Sequence, residues 1–309
     1  MAKALLLFSE GLDSTLSGLI LKREGIEVIA LRFITPFFGW RYKDSPHLFE
    51  EKVKALGLKA GIVVDLTEEY LEMLKKPAFG YGDYANPCID CKILFLKKAR
   101  VLMEELKADF LASGEVVGQR PMSQNKVTLE KIEREAGVEG LLLRPLSALL
   151  LKETKPEKMG LLSREKLYAQ AGRRRDLQLE LAKTFGLKEI PTPAGGCLLA
   201  DPIIGSRVMR VLKEKRPLNP LTAELLTFGR HYFESSLWLI LGRNEKENLR
   251  LEGVTAGRLP LYTLSEPSPY LAVIEGPLEE DKLKELLLRH SKKARLSLQE
   301  GKRVDLIKL

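Results

Sequence analysis

Cysteine and histidine are scarce in this chain, three of each among 309 residues. A CxxC pair in a reducing compartment points to metal or redox chemistry rather than to a structural disulfide. His47, His231 and His290 stand in no recognisable Cys/His ligand spacing. No apolar run reaches the length of a membrane span, and Leu141–Leu151 is broken by Arg144 and Pro145. The N-terminus enters a strand directly, without the pattern of a secretion signal, so a cytoplasmic location and no membrane partner are expected. Internal repeats and low-complexity segments are absent. The first strand–helix turn has no G-K-[ST] ending and no G-x-G-x-x-G, which excludes Walker and dinucleotide loops there.

What is present is ordinary soluble-protein composition, 45% hydrophobic and 30% charged, in a chain long enough for two domains. The net charge of +8 suits a nucleic-acid partner. The abundance of Lys and Glu also suits adaptation to heat.

The opening segment is the most informative. The apolar run Ala4–Phe8 stops at Ser9-Glu10-Gly11-Leu12-Asp13-Ser14. A stretch with Leu16, Leu19, Ile20 and Leu21 on one face follows, then the run Val28–Phe33. The pattern predicts strand, tight loop, helix, strand. Such a loop aims backbone N–H groups and a positive helix end at one spot, which suits an anion. Ser9 and Ser14 add hydroxyls, and Gly11 permits close backbone approach. Asp13 reads either as an indirect Mg²⁺ ligand or as a plain N-cap. Further on, helices are predicted over Pro46–Leu56, Thr67–Lys75 (with a Thr cap) and Ile93–Leu106, and strands over Ala60–Leu66 and Phe110–Ser113. The fold class expected is α/β, a doubly wound parallel sheet with ligands at the carboxyl ends of its strands. The pattern changes near Asp201–Ser206, which predicts a domain over 1–205 and a smaller α+β domain over 206–309.

Cys88 and Cys91 lie in N-P-C-I-D-C just ahead of the predicted helix, and Cys197 ends P-T-P-A-G-G-C. Three thiolates can hold three irons of a 4Fe–4S cluster and leave the fourth open. They can also hold Zn²⁺ with a fourth ligand, or perform persulfide chemistry in which one cysteine carries sulfur and another resolves it.

The loop Ser9–Ser14 resembles the SGGxDS loop of PP-loop ATP pyrophosphatases, with Glu10 in place of the first glycine. A carboxylate there is unfavourable beside a triphosphate unless it points away or binds Mg²⁺. Ser113-Gly114-Glu115-Val116-Val117-Gly118-Gln119, then Ser123-Gln124-Asn125, then Arg144-Pro145-Leu146, follow in the order found in 4-thiouridine synthetases of the ThiI type. The resemblance implies that ATP and Mg²⁺ lie among Ser9, Gly11, Asp13, Ser14, Leu31, Gly114, Gly118, Gln119 and Ser123. It implies that a uridine carbonyl is adenylated there and attacked by sulfur, with Asp13, Cys88, Cys91 and Cys197 catalytic. Relatives of the TtuA and TtcA types, with CxxC and a distant cysteine, bind a 4Fe–4S cluster, which places the metal ligands on Cys88, Cys91 and Cys197.

Arg173, Arg174 and Arg175 are candidates for tRNA phosphate, against the bland reading of a solvated helix face. Compared with full ThiI proteins, the chain starts at the PP-loop domain and lacks a rhodanese-like tail. Its C-terminal part resembles the NFACT-R family of RNA-binding domains, matching Gly242, Arg243, Asn244 and Asn248. That makes Arg243 a candidate phosphate contact, against a salt bridge to Glu245 or Glu247, with a basic tail at Lys292, Lys293 and Arg295. The function expected is a tRNA sulfurtransferase giving 4-thiouridine or 2-thiouridine, with tRNA and a sulfide or persulfide donor as partners and homodimerisation open. The alternatives are a desulfidase acting on a thiolated base and a non-catalytic RNA-binding protein with a decayed loop.

Overall fold

The computed structural model describes residues 1–120, 122–190, 196–277 and 279–309. The chain divides into two units, Met1–Cys197 and Leu198–Leu309. The division falls a little before the predicted change at 205/206. The reason is local: Asp201 Oδ1 accepts the N–H groups of Ile203 and Ile204, both at 2.9 Å, and so starts the first long helix of the second unit.

The first unit runs β1 (Lys3–Leu7), α1 (Leu12–Arg23), β2 (Glu27–Ile34), α2 (His47–Ala55), β3 (Ala60–Asp65), α3 (Thr67–Lys75), α4 (Cys88–Glu105), β4 (Phe110–Ser113), α5 (Lys126–Ala136), β5 (Leu142–Leu143), α6 (Lys155–Lys158) and α7 (Asp176–Thr184). The strands form one parallel sheet in the order β3-β2-β1-β4-β5. Strand order reverses between β1 and β4, the place where ligands of such sheets collect.

Strand residues alternate between two apolar layers, as a pleat buried on both faces requires. Ala4, Leu6, Val28, Ala30, Phe110 and Ala112 join one layer with residues of α1, α2 and α7. Leu5, Ile29, Leu31, Phe33 and Leu111 join the other with residues of α4 and α5. The sequence predicts one buried face on α1; instead Leu12 and every residue from 14 to 21 are buried. Sheet and α7 enclose this helix from two sides.

Two helix starts also differ from expectation. Thr67 does not cap α3; the Asp65 carboxylate accepts its N–H at 2.8 Å and its hydroxyl at 2.5 Å. Helix α4 begins at Cys88 rather than near Ile93, so the CxxC pair occupies its first turn.

The second unit contains α8 (Pro202–Lys213), α9 (Pro220–Leu225), β6 (Arg230–Glu234), β7 (Leu237–Leu241), α10 (Glu245–Thr255), β8 (Leu261–Leu264), β9 (Leu271–Glu275), α11 (Glu280–His290), α12 (Lys292–Gln299) and β10 (Leu306–Lys308). Its sheet is antiparallel in the order β10-β8-β9-β7-β6. No helix among the described residues is long and apolar enough to cross a membrane.

At the switch point, Gly114 follows the last residue of β4 and lies against the start of α1. A Cβ on Gly114 would lie 2.4 Å from the Ser14 backbone nitrogen and 2.6 Å from Asp13 carbonyl carbon. Gly114→Ala is therefore expected to lower stability by about 1–3 kcal/mol through overpacking. Urea denaturation checks this, and an unchanged midpoint would disprove the close approach.

Candidate active site

The loop between β1 and α1 is built as an open donor set. No side chain caps α1, whose N-cap is Gly11, so the first helical N–H groups stay available. Ser14 Oγ donates to the Gly11 carbonyl at 3.0 Å and lies 3.2 Å from Ser9 Oγ. Both hydroxyls are thus held at the mouth of the helix.

Asp13 does not cap the helix. Its carboxylate accepts Gln119 Nε2 at 3.0 Å on one oxygen and Gln178 Nε2 at 3.3 Å on the other. Two neutral amides hold this carboxylate in place, and it makes no ion pair among the described residues, which suits a metal ion or a group with positive character. Gln178, on α7 and fully buried, lies in the stretch after the arginine run and has no site role assigned from sequence.

Gly118 adopts φ +74°, a left-handed conformation that favours glycine, and its N–H donates to the Gln124 carbonyl at 2.7 Å. Ser123 is buried, and its carbonyl accepts Lys92 Nζ at 2.9 Å. Val117 pairs with Ala171 in an isolated parallel bridge, and Ser147 Oγ links Val117 N–H to the Gln170 carbonyl. These bonds bring Arg173, Arg174 and Arg175 beside the Gly114–Gln119 loop. The three arginines lie on the segment before α7, not on a helix face; Arg173 and Arg174 are exposed, and Arg175 has a buried Nη2 with no partner. Leu31 is placed differently from a ligand-facing side chain. It is 1% exposed in the apolar layer under α4, and its carbonyl accepts the Phe8 N–H.

Glu10 sits at φ +65°. That conformation costs a residue with a Cβ roughly 1–2 kcal/mol, a cost that glycine at this position would not carry. The side chain turns away from the donor set. Its carboxylate accepts Arg41 Nη2 at 2.8 Å, the Tyr42 hydroxyl at 2.6 Å and Lys52 Nζ at 3.2 Å, with Arg32 4.0 Å away. Burial pushes its pKa up, but the Tyr42 and Arg41 hydrogen bonds and the nearby guanidinium charges outweigh it and hold the carboxyl below its ordinary value.

The cysteine helix is tied to this site through an ion network. Lys92, next to Cys91, pairs with Glu115 at 2.6 Å, and Arg144 Nε reaches the other Glu115 oxygen at 3.0 Å. Arg144, 2% exposed, also pairs with Glu133. Burial raises the Glu115 pKa, yet Lys92 and Arg144 override it and bring the carboxyl down to about 2. Glu133 goes the other way, because burial outweighs its share of the same guanidinium.

The three cysteines are joined by no disulfide and all are partly buried. Cys88 Sγ donates to Asn86 Oδ1 at 3.1 Å. The Cys91 thiol is pushed well above its ordinary value, first by burial and then by Cys197 and Cys88, so these sulfurs share one electrostatic environment. Tyr70 belongs to it too. This fully buried residue has a hydroxyl with no well-formed hydrogen bond, and burial together with Cys91, Cys197 and Cys88 raises its pKa. The donor set of three thiols suits iron or zinc, and the Tyr70 hydroxyl lies beside Cys91. In spacing, no group of three or more His, Cys, Asp or Glu among the described residues is set to hold a metal ion. Pro191–Gly195, leading to Cys197, and Pro121 lie outside the described residues.

In the second unit the Gly242–Asn248 motif is absorbed by local structure. A Cβ on Gly242 would lie 2.1 Å from Asn248 Oδ1; Asn244 caps α10 by accepting the Glu247 N–H at 3.0 Å; Asn248 Oδ1 accepts the Tyr270 N–H at 3.0 Å. Arg243, read from sequence as a phosphate contact, has its guanidinium on the Glu247 carboxylate, with Nε at 2.9 Å. The competing salt-bridge reading describes it as it stands.

Residues 1–154 match the model of the family described as thiamine biosynthesis protein (ThiI). No curated protein matches the sequence. Among solved structures, a predicted subunit of tRNA methyltransferase from Methanocaldococcus jannaschii is 24% identical, over 47% of this chain and 68% of that one, with TM-score 0.34. A 4-thiouridine synthetase–RNA complex with bound ATP is 20% identical, over 73% of this chain and 52% of that one, with TM-score 0.41. The chain thus spans about half the length of that synthetase (52%). NMN synthetase from Francisella tularensis is 12% identical, over 70% of this chain and 87% of that one, with TM-score 0.29.

The Glu115 pair generates a test. A carboxyl lowered from 4.5 to about 2 contributes stability in full above about pH 4.5, and that contribution is lost as pH falls toward 2. Wild-type protein should lose stability across this window, and Glu115→Gln should flatten the slope there. Arg144→Met, which strands Glu133 and leaves Glu115 with Lys92 alone, should cost about 3–5 kcal/mol at neutral pH. Chemical denaturation at stepped pH measures both; an identical slope in Glu115→Gln would disprove the depressed pKa.

Proposed function

We propose that this chain is an ATP-dependent tRNA sulfurtransferase that replaces a uridine carbonyl oxygen with sulfur. One observation carries the reading. Within the segment that matches the ThiI family, an uncapped helix start and an amide-held Asp13 are tied through Glu115 and Lys92 to the helix that bears Cys88 and Cys91. One end of such a site suits a nucleotide phosphate, and the other suits sulfur.

In this reading the N–H groups of α1 and the Ser9 and Ser14 hydroxyls receive the phosphates of ATP, and Asp13 holds Mg²⁺. The uridine carbonyl oxygen attacks the α-phosphorus and pyrophosphate leaves. A sulfur nucleophile then adds at the same carbon, and AMP departs with the former carbonyl oxygen. With hydrosulfide as donor, its proton is the only other product. With a cysteine persulfide, a second cysteine must attack the S–S bond, and an external thiol must reduce the resulting disulfide. A 4Fe–4S cluster held by Cys88, Cys91 and Cys197 would supply an open iron for binding sulfide; the thiols would have to close up to hold it. Gly114, Gly118 and Gln119 border the nucleotide. The Arg173–Arg175 segment replaces Arg243 as the leading tRNA-phosphate candidate, because it adjoins the nucleotide loop and Arg243 is engaged by Glu247.

Asp13→Ala is expected to reduce ATP-dependent pyrophosphate release about a hundredfold or more. Alanine at Cys88, Cys91 or Cys197 should abolish thiolation and leave pyrophosphate release largely intact. Mass spectrometry of tRNA nucleosides from cells lacking the gene should show one thiouridine missing, and an unchanged set of thionucleosides would overturn the reading. Protein purified without oxygen should hold about four irons per chain; stoichiometric zinc without iron would remove the cluster and leave the sulfur-transfer reading to stand on persulfide chemistry.

The arginine segment is testable separately. Replacing Arg173 and Arg174 with Ala should weaken tRNA binding and lower the salt slope by roughly two. ATP affinity should not change. An unaltered slope would return the tRNA contact to the second unit.

A further inference from the structure

Glu10 is where this chain departs from the glycine pattern of its loop, and its surroundings explain the departure. The residue holds the left-handed conformation that the loop needs. Its side chain is 15% exposed and leaves the donor set for a receptor built by three separate elements. These are Arg32 on β2, Arg41 and Tyr42 on the short turn after it, and Lys52 on α2. Tyr42 is itself fixed, 1% exposed with its ring edge-on to Phe49, and its oxygen also accepts Arg41 Nη2 at 3.0 Å and Lys52 Nζ at 3.2 Å. One carboxylate therefore answers three cations and a phenol, and the receptor keeps an excess of two positive charges beside the loop.

A glycine at this position would leave the loop many backbone states, of which one receives an anion. Binding would then carry the entropy of choosing that state. With Glu10 fastened from outside, the choice is made before any ligand arrives. We propose that Glu10 is a positioning residue that preorganises the Ser9–Ser14 loop for the triphosphate of ATP by anchoring it to Arg41, Tyr42 and Lys52. The proposal rests on the reading that this loop binds ATP. It reverses the expectation from the family pattern, in which restoring glycine would be harmless or would tighten binding.

Two measurements on the full chain test it. Amide hydrogen exchange of nucleotide-free protein reads the clamp itself. Gly11–Ser14 should exchange faster in Glu10→Gly than in wild type, with helix α5 unaffected. Calorimetric titration with Mg-ATP should show affinity about tenfold weaker in Glu10→Gly. Glu10→Gln, which keeps an acceptor for Tyr42 and Arg41, should recover part of the loss. In pyrophosphate release the apparent KM for ATP should rise with kcat nearly unchanged, because the Glu10 side chain faces away from the donor set. Tyr42→Phe combined with Glu10→Gly should add little to Glu10→Gly alone, since the two act as one unit. If Glu10→Gly does not fold, Glu10→Gln and Arg41→Ala carry the same comparison at smaller amplitude. Equal exchange of Gly11–Ser14 in variant and wild type, or ATP bound as tightly by Glu10→Gly, would overturn the clamp. Faster exchange in the variant with no ATP binding by wild type would uphold the clamp and overturn the proposed function instead.

Discussion

A single buried guanidinium organises the carboxyl edge of the first unit. Arg144 lies between Glu115 on the loop after β4 and Glu133 on α5, while Lys92 on α4 takes the second oxygen of Glu115. Desolvating these groups is costly, and the arrangement holds because each charge meets an opposite one at hydrogen-bond distance. Position follows from that pairing. Fixing Glu115 fixes the turn between Gly114 and Gln119, hence the amide that reaches Asp13. Fixing Lys92 fixes the first turn of α4, hence the cysteines. Two sites whose helices pack on opposite faces of the sheet are thereby held to one frame.

Most of the fold was legible because its signals are local. β4 spans Phe110–Ser113 and α3 spans Thr67–Lys75, as the apolar periods indicate. The start of α4 was less legible, because N-P-C-I-D-C reads as a turn; Asp90 in the first turn was the available sign, favourable at a positive helix end. In the structure that carboxylate also ties α4 to the preceding loop by accepting the N–H groups of Ala78 and Phe79, at 2.8 and 3.1 Å. The complete burial of α1 could not be read from its own residues, since it depends on α7 docking more than 150 positions later.

The site shows the same division. Ser9, Gly11, Asp13, Ser14, Gly114, Gly118 and Gln119 come from contiguous motifs, and the structure gathers them at the strand-order reversal. Gln178 belongs to the stretch that follows the arginine run and resembles family tails, but nothing in sequence gives it or Tyr70 a role: one is a glutamine on a helix, the other an aromatic in a core. Only tertiary placement gives them meaning, through an amide on Asp13 and a hydroxyl among the sulfurs. The converse holds for Gly242, Asn244 and Asn248. Their spacing is a real signal, but its physical content here is a close approach, a helix cap and a strand anchor. A motif can be kept for the fold alone, and only the partners of its side chains tell which case applies.

The partners of Glu10 bear directly on the alternative of a decayed loop. A carboxylate aimed into the donors would repel a phosphate or take its place. Here the carboxylate is drawn out of the loop by Arg41, Tyr42 and Lys52, while Ser9, Ser14 and the first N–H groups of α1 keep the arrangement an anion requires. The backbone at residue 10 adopts a left-handed conformation, which glycine would take without strain. A side chain held by Arg41, Tyr42 and Lys52 at the cost of an unfavourable φ fixes the shape of the loop before any ligand arrives, which is the property a preorganised anion site would use.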